Sequence, residues 1–213
     1  MATFNNGILG GFSGTVGTVV GTTWRGVPVM RSKPKKSTKK PSPAQLRNRL
    51  KFKMMYAFML PIKAFLNESF DQPEEKKSRF DFAKSYFLTE AMIPTADSFS
   101  IDYPKVLISK GPIRGLLDVS ITAQVEQKAS LQWADNSALG LAYAEDVLSA
   151  IAYVPATQDF IFFEAAAQRH MGEVVLQFPE ELQDRTLEVW ATFKNTVSKQ
   201  YSTSDYLGSI TIV

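Results

Sequence analysis

The chain has 213 residues, of which 45% are hydrophobic and 21% are charged, a composition typical of a globular protein with a sizeable core. It contains no cysteine and one histidine, His170, which excludes disulfides, thiolate metal sites, a cysteine nucleophile and any site that needs two imidazoles. The N-terminus lacks the pattern of a secretory signal, and no apolar run approaches the ~20 residues of a membrane span. A soluble, cytoplasmic protein is therefore the default expectation.

The net charge of +3 conceals an uneven distribution of charged residues. Residues 1–67 contain twelve Lys or Arg and no Asp or Glu, whereas residues 68–213 contain twelve basic and twenty-one acidic residues. Two explanations are open. The basic part binds a polyanion such as nucleic acid, or the two parts neutralise each other, within one molecule or between copies.

The N-terminal stretch holds seven of the twelve glycines in the first 26 residues, and the residues between them favour strand over helix. It is predicted to be extended, with residues 25–26 as a hairpin connection. Pro28 is expected on an edge strand, because proline cannot donate to the ladder. No phosphate-binding or dinucleotide motif accompanies the glycines. We interpret the stretch as an arm that docks closely on a neighbouring domain or subunit, with Trp24 as a candidate interaction residue.

Residues 32–43 form a basic, proline-containing segment without apolar side chains, which is typical of a solvated linker. Together with the helix that follows, they make residues 33–53 a candidate polyanion-binding region. Because the linker lacks aromatic residues to stack on bases, such binding would involve phosphates and be indifferent to sequence. The candidate residues are Lys35, Lys36, Lys39, Lys40, Arg47, Arg49, Lys51 and Lys53.

A helix is predicted immediately after this linker. Ser42 and Gln45 form a capping box, and Pro43 fits the first helical position. Pro61 is expected to kink or end the helix, after which Ile62 and nearby residues continue the apolar pattern. Its predicted buried stripe consists of Leu46, Leu50, Met54, Ala57 and Phe58.

A second helix is predicted to open at the capping pattern of Asp71 and Glu74 and to end before Pro94. Its apolar residues recur every three to four positions, which is the helical period. They are more typical of a core than of a ligand site. The repeating residues are Phe80, Ala83, Phe87 and Ala91.

From about residue 105 the hydrophobic period changes from 3.6 to 2, and eight short strands are predicted in about 109 residues. This favours an antiparallel β-sandwich of immunoglobulin or fibronectin type III size. The fold class is therefore α+β, with a glycine-rich arm and helical region in residues 1–104 and a sandwich domain in 105–213. The strand candidates are 105–109, 118–126, 128–134, 147–154, 159–164, 173–178, 186–193 and 206–213.

The sandwich offers few residues with the pattern of a chemical site. His170 has no acidic partner nearby in sequence. A calcium ion is one interpretation of the acidic and amide residues near positions 135 and 145, although their spacing matches no calcium loop and ordinary turn chemistry explains them equally. The residues concerned are Asp135, Asn136, Glu145 and Asp146. We predict no catalytic, metal or cofactor-binding residue.

Trp190 is the second candidate interaction residue. Alternation along 186–193 places Leu187, Val189 and their companions on one face and Trp190 on the other. An outward Trp can mark a contact surface for a partner or a sugar. It can equally be covered by the predicted helices.

Six motifs occur along the chain, namely NGILGGFSGTVGTVVGTTWRGVPVMRSKP, PSPAQLRNRLKF, KSYFLTEAM, FSIDYPKVLISKG, LQWADNS and YLGSITIV. In this order they resemble an uncharacterised family of bacterial proteins, known as a domain of unknown function. The resemblance covers nearly the whole chain and implies a shared architecture of glycine-rich arm, helices and β-sandwich. It implies no catalytic residue, ligand or partner.

These observations favour a non-enzymatic structural or interaction protein that assembles with another copy or another protein. The first alternative is sequence-indifferent nucleic-acid binding through residues 33–53. The second is a carbohydrate-binding β-sandwich, which depends on Trp133 and Trp190.

Overall fold

A computed structural model describes residues 2–4, 11–24, 26–36, 38–70, 77–96 and 98–213. The helices are α1 (Pro43–Met59), α2 (Lys63–Ser69) and α3 (Arg79–Glu90). The strands are β1 (Thr3–Phe4), β2 (Phe12–Val16), β3 (Val19–Trp24), β4 (Val27–Ser32), β5 (Met92–Pro94), β6 (Phe99–Ile101), β7 (Ser120–Gln124), β8 (Lys128–Gln132), β9 (Val147–Val154), β10 (Asp159–Gln168), β11 (Glu173–Gln177), β12 (Thr186–Lys194) and β13 (Asp205–Thr211). No helix within the described residues has both the length and the apolar character needed to cross a membrane.

The chain divides into two compact units, Met1–Ser42 and Pro43–Val213. This division differs from the predicted boundary between residues 104 and 105. The reason is that the helices do not form a domain with the arm. They share one hydrophobic core with the sandwich, in which Phe58 and Phe87 of the helices pack with Trp190 of β12.

The first unit contains an antiparallel sheet with the strand order β1-β2-β3-β4, which we call the N-terminal sheet. The predicted extended structure is confirmed. Trp24 pairs with Val27 across the predicted hairpin connection, in which Gly26 has a φ of 80° and residue 25 lies outside the described residues. Pro28 lies on β4 at the edge of the sheet, also as predicted.

The first helical region of the second unit follows the predicted boundaries. α1 begins at Pro43 and ends at Met59, and Pro61 lies in the turn that separates it from α2. Ile62 and Leu66 continue the apolar pattern and are buried. The proline therefore ends the first helix without interrupting the core.

The predicted buried stripe of α1 was largely wrong. Met55, Phe58 and Met59 are buried, whereas Leu46 is 52% exposed and Ala57 is also exposed. The core lies beneath the last turns of α1, so the first turns project beyond it and their apolar residues face solvent. Of the predicted stripe, only Phe58 is fully buried, with Leu50 and Met54 half-buried.

The third helix has a well-defined N-terminal cap. The helix begins at Arg79, after the N-cap Ser78, whose hydroxyl accepts a hydrogen bond from the amide of Asp81. The Asp81 carboxylate accepts a hydrogen bond from the Ser78 amide in return, which completes a capping box. The predicted start at positions 71–74 lies outside the described residues. The predicted buried residues are confirmed and are Phe80, Ala83, Phe87 and Ala91.

The C-terminal strands form a β-sandwich, as predicted. One sheet has the order β10-β9-β12-β13 and the other β11-β8-β7. Their facing side chains, including Leu131, Leu148 and Val189, make one buried core. The α+β fold class with an antiparallel sandwich is therefore confirmed.

The predicted strand at 105–109 is not a strand. A short 3-10 turn at Tyr103–Lys105 is followed by extended chain whose amides at Ile108 and Ser109 donate to the hydroxyl of Ser204. The Ser109 hydroxyl in turn donates to Thr192 at 2.7 Å. The Ser204 hydroxyl therefore satisfies these two amides in place of a ladder partner.

Strand β12 is buried on both faces, which explains its sequence pattern. Leu187, Val189, Ala191 and Phe193 face the sandwich core, and Trp190 faces the core formed with the helices. The predicted alternation is therefore confirmed, and the alternative in which helices cover Trp190 is correct. A sheet that has one apolar partner on each side requires apolar residues at almost every position.

The shared core predicts that two phenylalanines of α1 contribute very differently to the free energy of unfolding. Phe58 is 2% exposed and its ring packs against those of Phe87, Tyr153 and Trp190, whereas Phe52 is 48% exposed. Phe58→Ala is expected to lower the free energy of unfolding by about 3–5 kcal/mol. Phe52→Ala should lower it by less than about 1 kcal/mol. Urea denaturation of both variants measures the difference, and equal losses would contradict this packing.

Candidate functional site

The N-terminal sheet has apolar side chains on both faces. Residues paired across antiparallel strands project from the same face. The pairs Trp24 with Val27 and Val20 with Arg31 therefore share one face. The opposite face is formed by the residues between them, and its apolar members are Phe12, Val16, Val19, Pro28 and Met30.

Part of this apolar surface is exposed, whereas Phe12, Val19, Val20 and Val29 are half-buried. Among the described residues of 1–42, Gly21 is the one that is fully buried. Val16 is 49% exposed, Trp24 58%, Val27 46% and Met30 69%. The sheet thus resembles the inner layer of a sandwich more than a surface sheet with one polar face.

Gly21 explains part of the glycine content. A Cβ atom on Gly21 would lie 2.1 Å from the carbonyl oxygen of Phe12 and 2.7 Å from its ring. Only glycine permits this approach. The close backbone contact predicted for the arm therefore occurs within the sheet itself, between β2 and β3.

The free edge of β4 is unsuited to pairing with a further strand. The amide of Lys33, directly after β4, donates to the carbonyl of Thr18 at 2.7 Å. Because the direction of the amides alternates along a strand, every second residue of β4 before Lys33 also points its amide towards β3. Pro28 occupies a position between them, where an amide would point to the free edge. Because proline has no amide proton, the edge lacks a donor at this point.

The candidate polyanion-binding residues divide between the two units. The four candidate lysines in the first unit are exposed, as are Arg49 and Lys53 of α1. Arg47 and Lys51 instead lie 5.4 Å and 5.7 Å from the ring centre of Phe99 on β6, and Arg47 also donates to a backbone carbonyl. The four candidate lysines are Lys35, Lys36, Lys39 and Lys40.

The two tryptophans of the sandwich are inaccessible, which corrects two predictions. Trp190 is fully buried, so it is not an interaction surface in this fold. Trp133 is 5% exposed, and its indole N–H donates to the carbonyl of Arg169 at 2.7 Å. Neither ring offers a face on which a sugar could stack. Of the candidate interaction residues, Trp24 alone is at the surface.

The candidate calcium residues surround a guanidinium group. Arg169 is fully buried, and donates to the Asn136 side-chain oxygen at 2.6 Å and to the Asp146 carboxylate at 3.0 Å. Its guanidinium carbon lies 3.8 Å from the ring centre of Phe193. Burial lowers the pKa of Arg169, and the hydrogen bond that Arg169 donates to Asp146 opposes this shift. The oxygens of Asn136 and Asp146 therefore bind the positively charged guanidinium group of Arg169.

The remaining candidates of this region have separate structural contacts. Glu145 is exposed, and Asp135 accepts a hydrogen bond from the Ser137 amide, which lowers the pKa of Asp135. His170 is exposed, and its Nδ1 lies 3.0 Å from the carbonyl oxygen of Ala144. Over the part of the chain that the structure describes, no three acidic or histidine side chains are grouped to hold a metal.

An open cleft of about 1100 Å³ lies beside α2 and was not predicted. Lys194 crosses it, with its ammonium 3.6 Å from the Glu68 carboxylate and 5.0 Å from the ring centre of Tyr201. Hydrogen bonding to Tyr201, with a smaller effect of Glu68, raises the pKa of Lys194 against the opposing effect of burial. The charged groups come from distant parts of the sequence, so no local motif reveals the cleft.

One edge of this cleft is formed by a bulge in β10. The pairing with β9 shifts between Phe163 and Ala167, and Ala165 adopts a left-handed φ of 50°. The Ala165 amide donates to the Ser149 hydroxyl at 3.5 Å. Bulges on edge strands bend the strand and end regular pairing. Here the bulge turns residues 164–165 towards the cleft.

Residues 11–208 match the model of DUF6266, a family of unknown function, and the chain belongs to this family. The resemblance found in the sequence motifs is thereby confirmed. No curated protein matches the chain significantly.

Two solved structures are similar to part of the chain. One contains the chicken CNTN1 FN1-FN3 domains, with 12% identity and a TM-score of 0.33 over 49% of this chain and 33% of that one. The other is the fn3 domain of the human collagen alpha-1(XX) chain, with 10% identity and a TM-score of 0.32 over 47% of this chain and 86% of that one. The chain thus covers a third of the CNTN1 structure.

The buried charge pair predicts a strong and specific dependence of stability on Asp146. Asp146→Ala leaves the guanidinium of Arg169 buried without its counter-ion and should lower the free energy of unfolding by about 3–5 kcal/mol. Lys128→Ala, which breaks an exposed pair with Glu126, should lower it by less than about 1 kcal/mol. Chemical denaturation measures both effects.

The double variant Asp146→Ala/Arg169→Met tests whether the loss of stability in Asp146→Ala comes from the unpaired charge of Arg169. Removing the charge together with its partner should recover part of the stability lost in Asp146→Ala, because the penalty of an unpaired buried charge disappears. Additive losses from the two substitutions would show that the pair does not act as one unit.

Proposed function

We propose that this member of the DUF6266 family is a non-enzymatic structural or interaction protein that assembles with another protein chain through its N-terminal sheet. The observation that carries the proposal is the exposure of apolar side chains on both faces of that sheet. Val27 on one face is 46% exposed and Met30 on the other is 69% exposed. A sheet of this kind gains stability when a partner covers it.

The energies involved support this interpretation. A sheet in water needs three or more strands with a hydrophobic face, or a helix packed against it, for independent stability, and the four strands of the N-terminal sheet leave apolar side chains such as Met30 exposed. Complete burial of a Val or Met side chain contributes about 1.5–3 kcal/mol. Covering side chains that are roughly half exposed would therefore add about 1 kcal/mol each. Several such contacts together are enough to bias an association equilibrium.

The geometry favours docking of a face over pairing at an edge. Pro28 removes a donor from the free edge of β4, so a further strand would lose a ladder hydrogen bond there. The faces carry no such obstacle, and many of their side chains, including Val27 and Trp24, are β-branched or aromatic residues suited to packing between sheets. The proposed interface is consequently a layer of side chains.

The charge of the first unit narrows the choice of partner. Residues 1–42 contain seven basic and no acidic residues. Two such units facing each other would repel, because like charges at an interface oppose association. The surface that covers the sheet is therefore neutral or acidic. It belongs to another copy of the chain or to a different protein.

The mass of the protein in solution tests this assembly. We expect multi-angle light scattering to give a mass above the 23.7 kDa of one chain, and to change little at high salt because apolar contacts dominate. Val27→Ser/Met30→Ser should shift the mass towards one chain. Val197→Ser, a substitution at a side chain 91% exposed in the second unit, is the matched control and should leave the mass unchanged.

If the protein is a monomer in solution, limited proteolysis distinguishes the two possible reasons. A monomer whose residues 31–39 are cleaved rapidly by trypsin fits a sheet that awaits a different protein as its partner. A monomer at every concentration with a protease-resistant N-terminal segment contradicts the proposal, because the sheet would then be stable without any other chain.

A further inference from the structure

Helix α1 has an exposed side whose residues play no part in the core. Phe52 is 48% exposed and Tyr56 is 41% exposed, and the four-residue spacing places them one turn apart on the same face. Arg49 and Lys53 are also exposed, and each precedes one of these aromatic residues by three positions. We call these four residues the outer face of α1.

The outer face is distinct from the side of α1 that packs on the rest of the unit. Met55 and Phe58 enter the core, and Lys51 lies over the Phe99 ring. Arg49 and Lys53 point away from these contacts, at helical angles near those of Phe52 and Tyr56. The outer face therefore alternates cationic and aromatic side chains in one surface strip.

The charge around this face selects an anionic occupant. α1 contains no acidic residue, and the first acidic residue of the chain is Glu68. The ammonium of Lys84 on α3 lies 5.8 Å from the Tyr56 ring, and it forms an ion pair with Asp81 at 2.7 Å. The carboxylate nearest in these contacts is thus already balanced by a lysine. A polyanion would meet uncompensated positive charge along α1.

The spacing of the Phe52 and Tyr56 rings favours a single-stranded over a double-stranded nucleic acid as that polyanion. Four residues of helix rise about 6 Å, which is nearly twice the ~3.4 Å between stacked bases of a duplex. Two rings at this separation can each stack on one base of an extended single strand. A duplex hides the faces of its bases, so it could offer only phosphates to the cations.

We propose that the outer face of α1 binds single-stranded nucleic acid. Phe52 and Tyr56 stack on successive bases, while Arg49 and Lys53 contact the phosphates between them. Binding is indifferent to sequence, because every base has a face on which an aromatic ring can stack. Stacking distinguishes this site from purely electrostatic binding by the lysines of residues 33–40.

Fluorescence anisotropy with a labelled twenty-nucleotide oligo-dT tests this site. The variants Phe52→Ala/Tyr56→Ala and Phe52→Leu/Tyr56→Leu should each bind at least about tenfold more weakly than the wild type at constant salt. The leucine pair keeps apolar bulk but cannot stack, so it separates loss of stacking from loss of folding. A thermal unfolding curve of each variant confirms that the protein is folded.

The charge contribution is measured by the salt dependence of binding. Arg49→Gln/Lys53→Gln should reduce the slope of log affinity against log salt by about 1.4, since each phosphate contact to a single strand contributes about 0.7. The matched control is Arg185→Gln/Lys199→Gln, which removes the same charge from exposed positions outside α1 and should leave the slope almost unchanged.

Five results would overturn the proposal. The first four are no binding at low salt, equal binding by the aromatic variants and the wild type, duplex DNA bound as tightly as the single strand, and loss of binding in the Arg185 and Lys199 control equal to that in the Arg49 and Lys53 pair. Vesicles of phosphatidylserine and phosphatidylcholine provide the last comparison. If they bind the protein through Phe52 and Tyr56 while the oligonucleotide does not, the face is a membrane surface and the proposal is wrong.

Discussion

The buried guanidinium of Arg169 is the interaction on which one end of the sandwich depends. It joins segments far apart in the sequence, because it donates to the carbonyl of Arg114, the amide of Asn136 and the carboxylate of Asp146. Asn195 after β12 donates to the same carboxylate at 2.7 Å. Desolvation of such a pair is costly, so the arrangement persists only because several partners satisfy both ions.

The four-stranded sheet of the sandwich links this charged end to the helices. Val189 and Phe193 of β12 face the inner core of the sandwich, and Trp190 between them faces the core shared with Phe58. The indole nitrogen of Trp190 has no hydrogen-bond partner among the described residues, a cost that the packing of its ring on Phe58, Tyr103 and Tyr206 must offset. Because one sheet supports both cores, helices and sandwich form one unit, and a boundary at residue 104 would cut through shared packing.

Local patterns in the sequence were sufficient for most elements and insufficient for long-range contacts. Period-two alternation located seven of the strands, and Pro61 marked the end of α1. The extended segment at 105–109 looked like a strand because Val106 and Ile108 alternate, yet its backbone partner is the Ser204 hydroxyl, 96 residues away from Ile108. Likewise, nothing beside Arg169 in the sequence shows that it is buried, since its partners Asn136 and Asp146 come from other loops.

The two units differ in how far their apolar side chains are covered. In the second unit, the sheet β10-β9-β12-β13 has one core on each side, so side chains such as Trp190 lose their contact with water. In the first unit, glycines such as Gly21 allow the strands to approach closely, but strand pairing alone removes little apolar surface from water. Hydrogen bonds between strands replace those with water and yield little net stability. The N-terminal sheet therefore has the strand pairing of a sandwich layer, yet Val27 and Met30 among its described residues stay exposed, and the proposed assembly would cover these side chains.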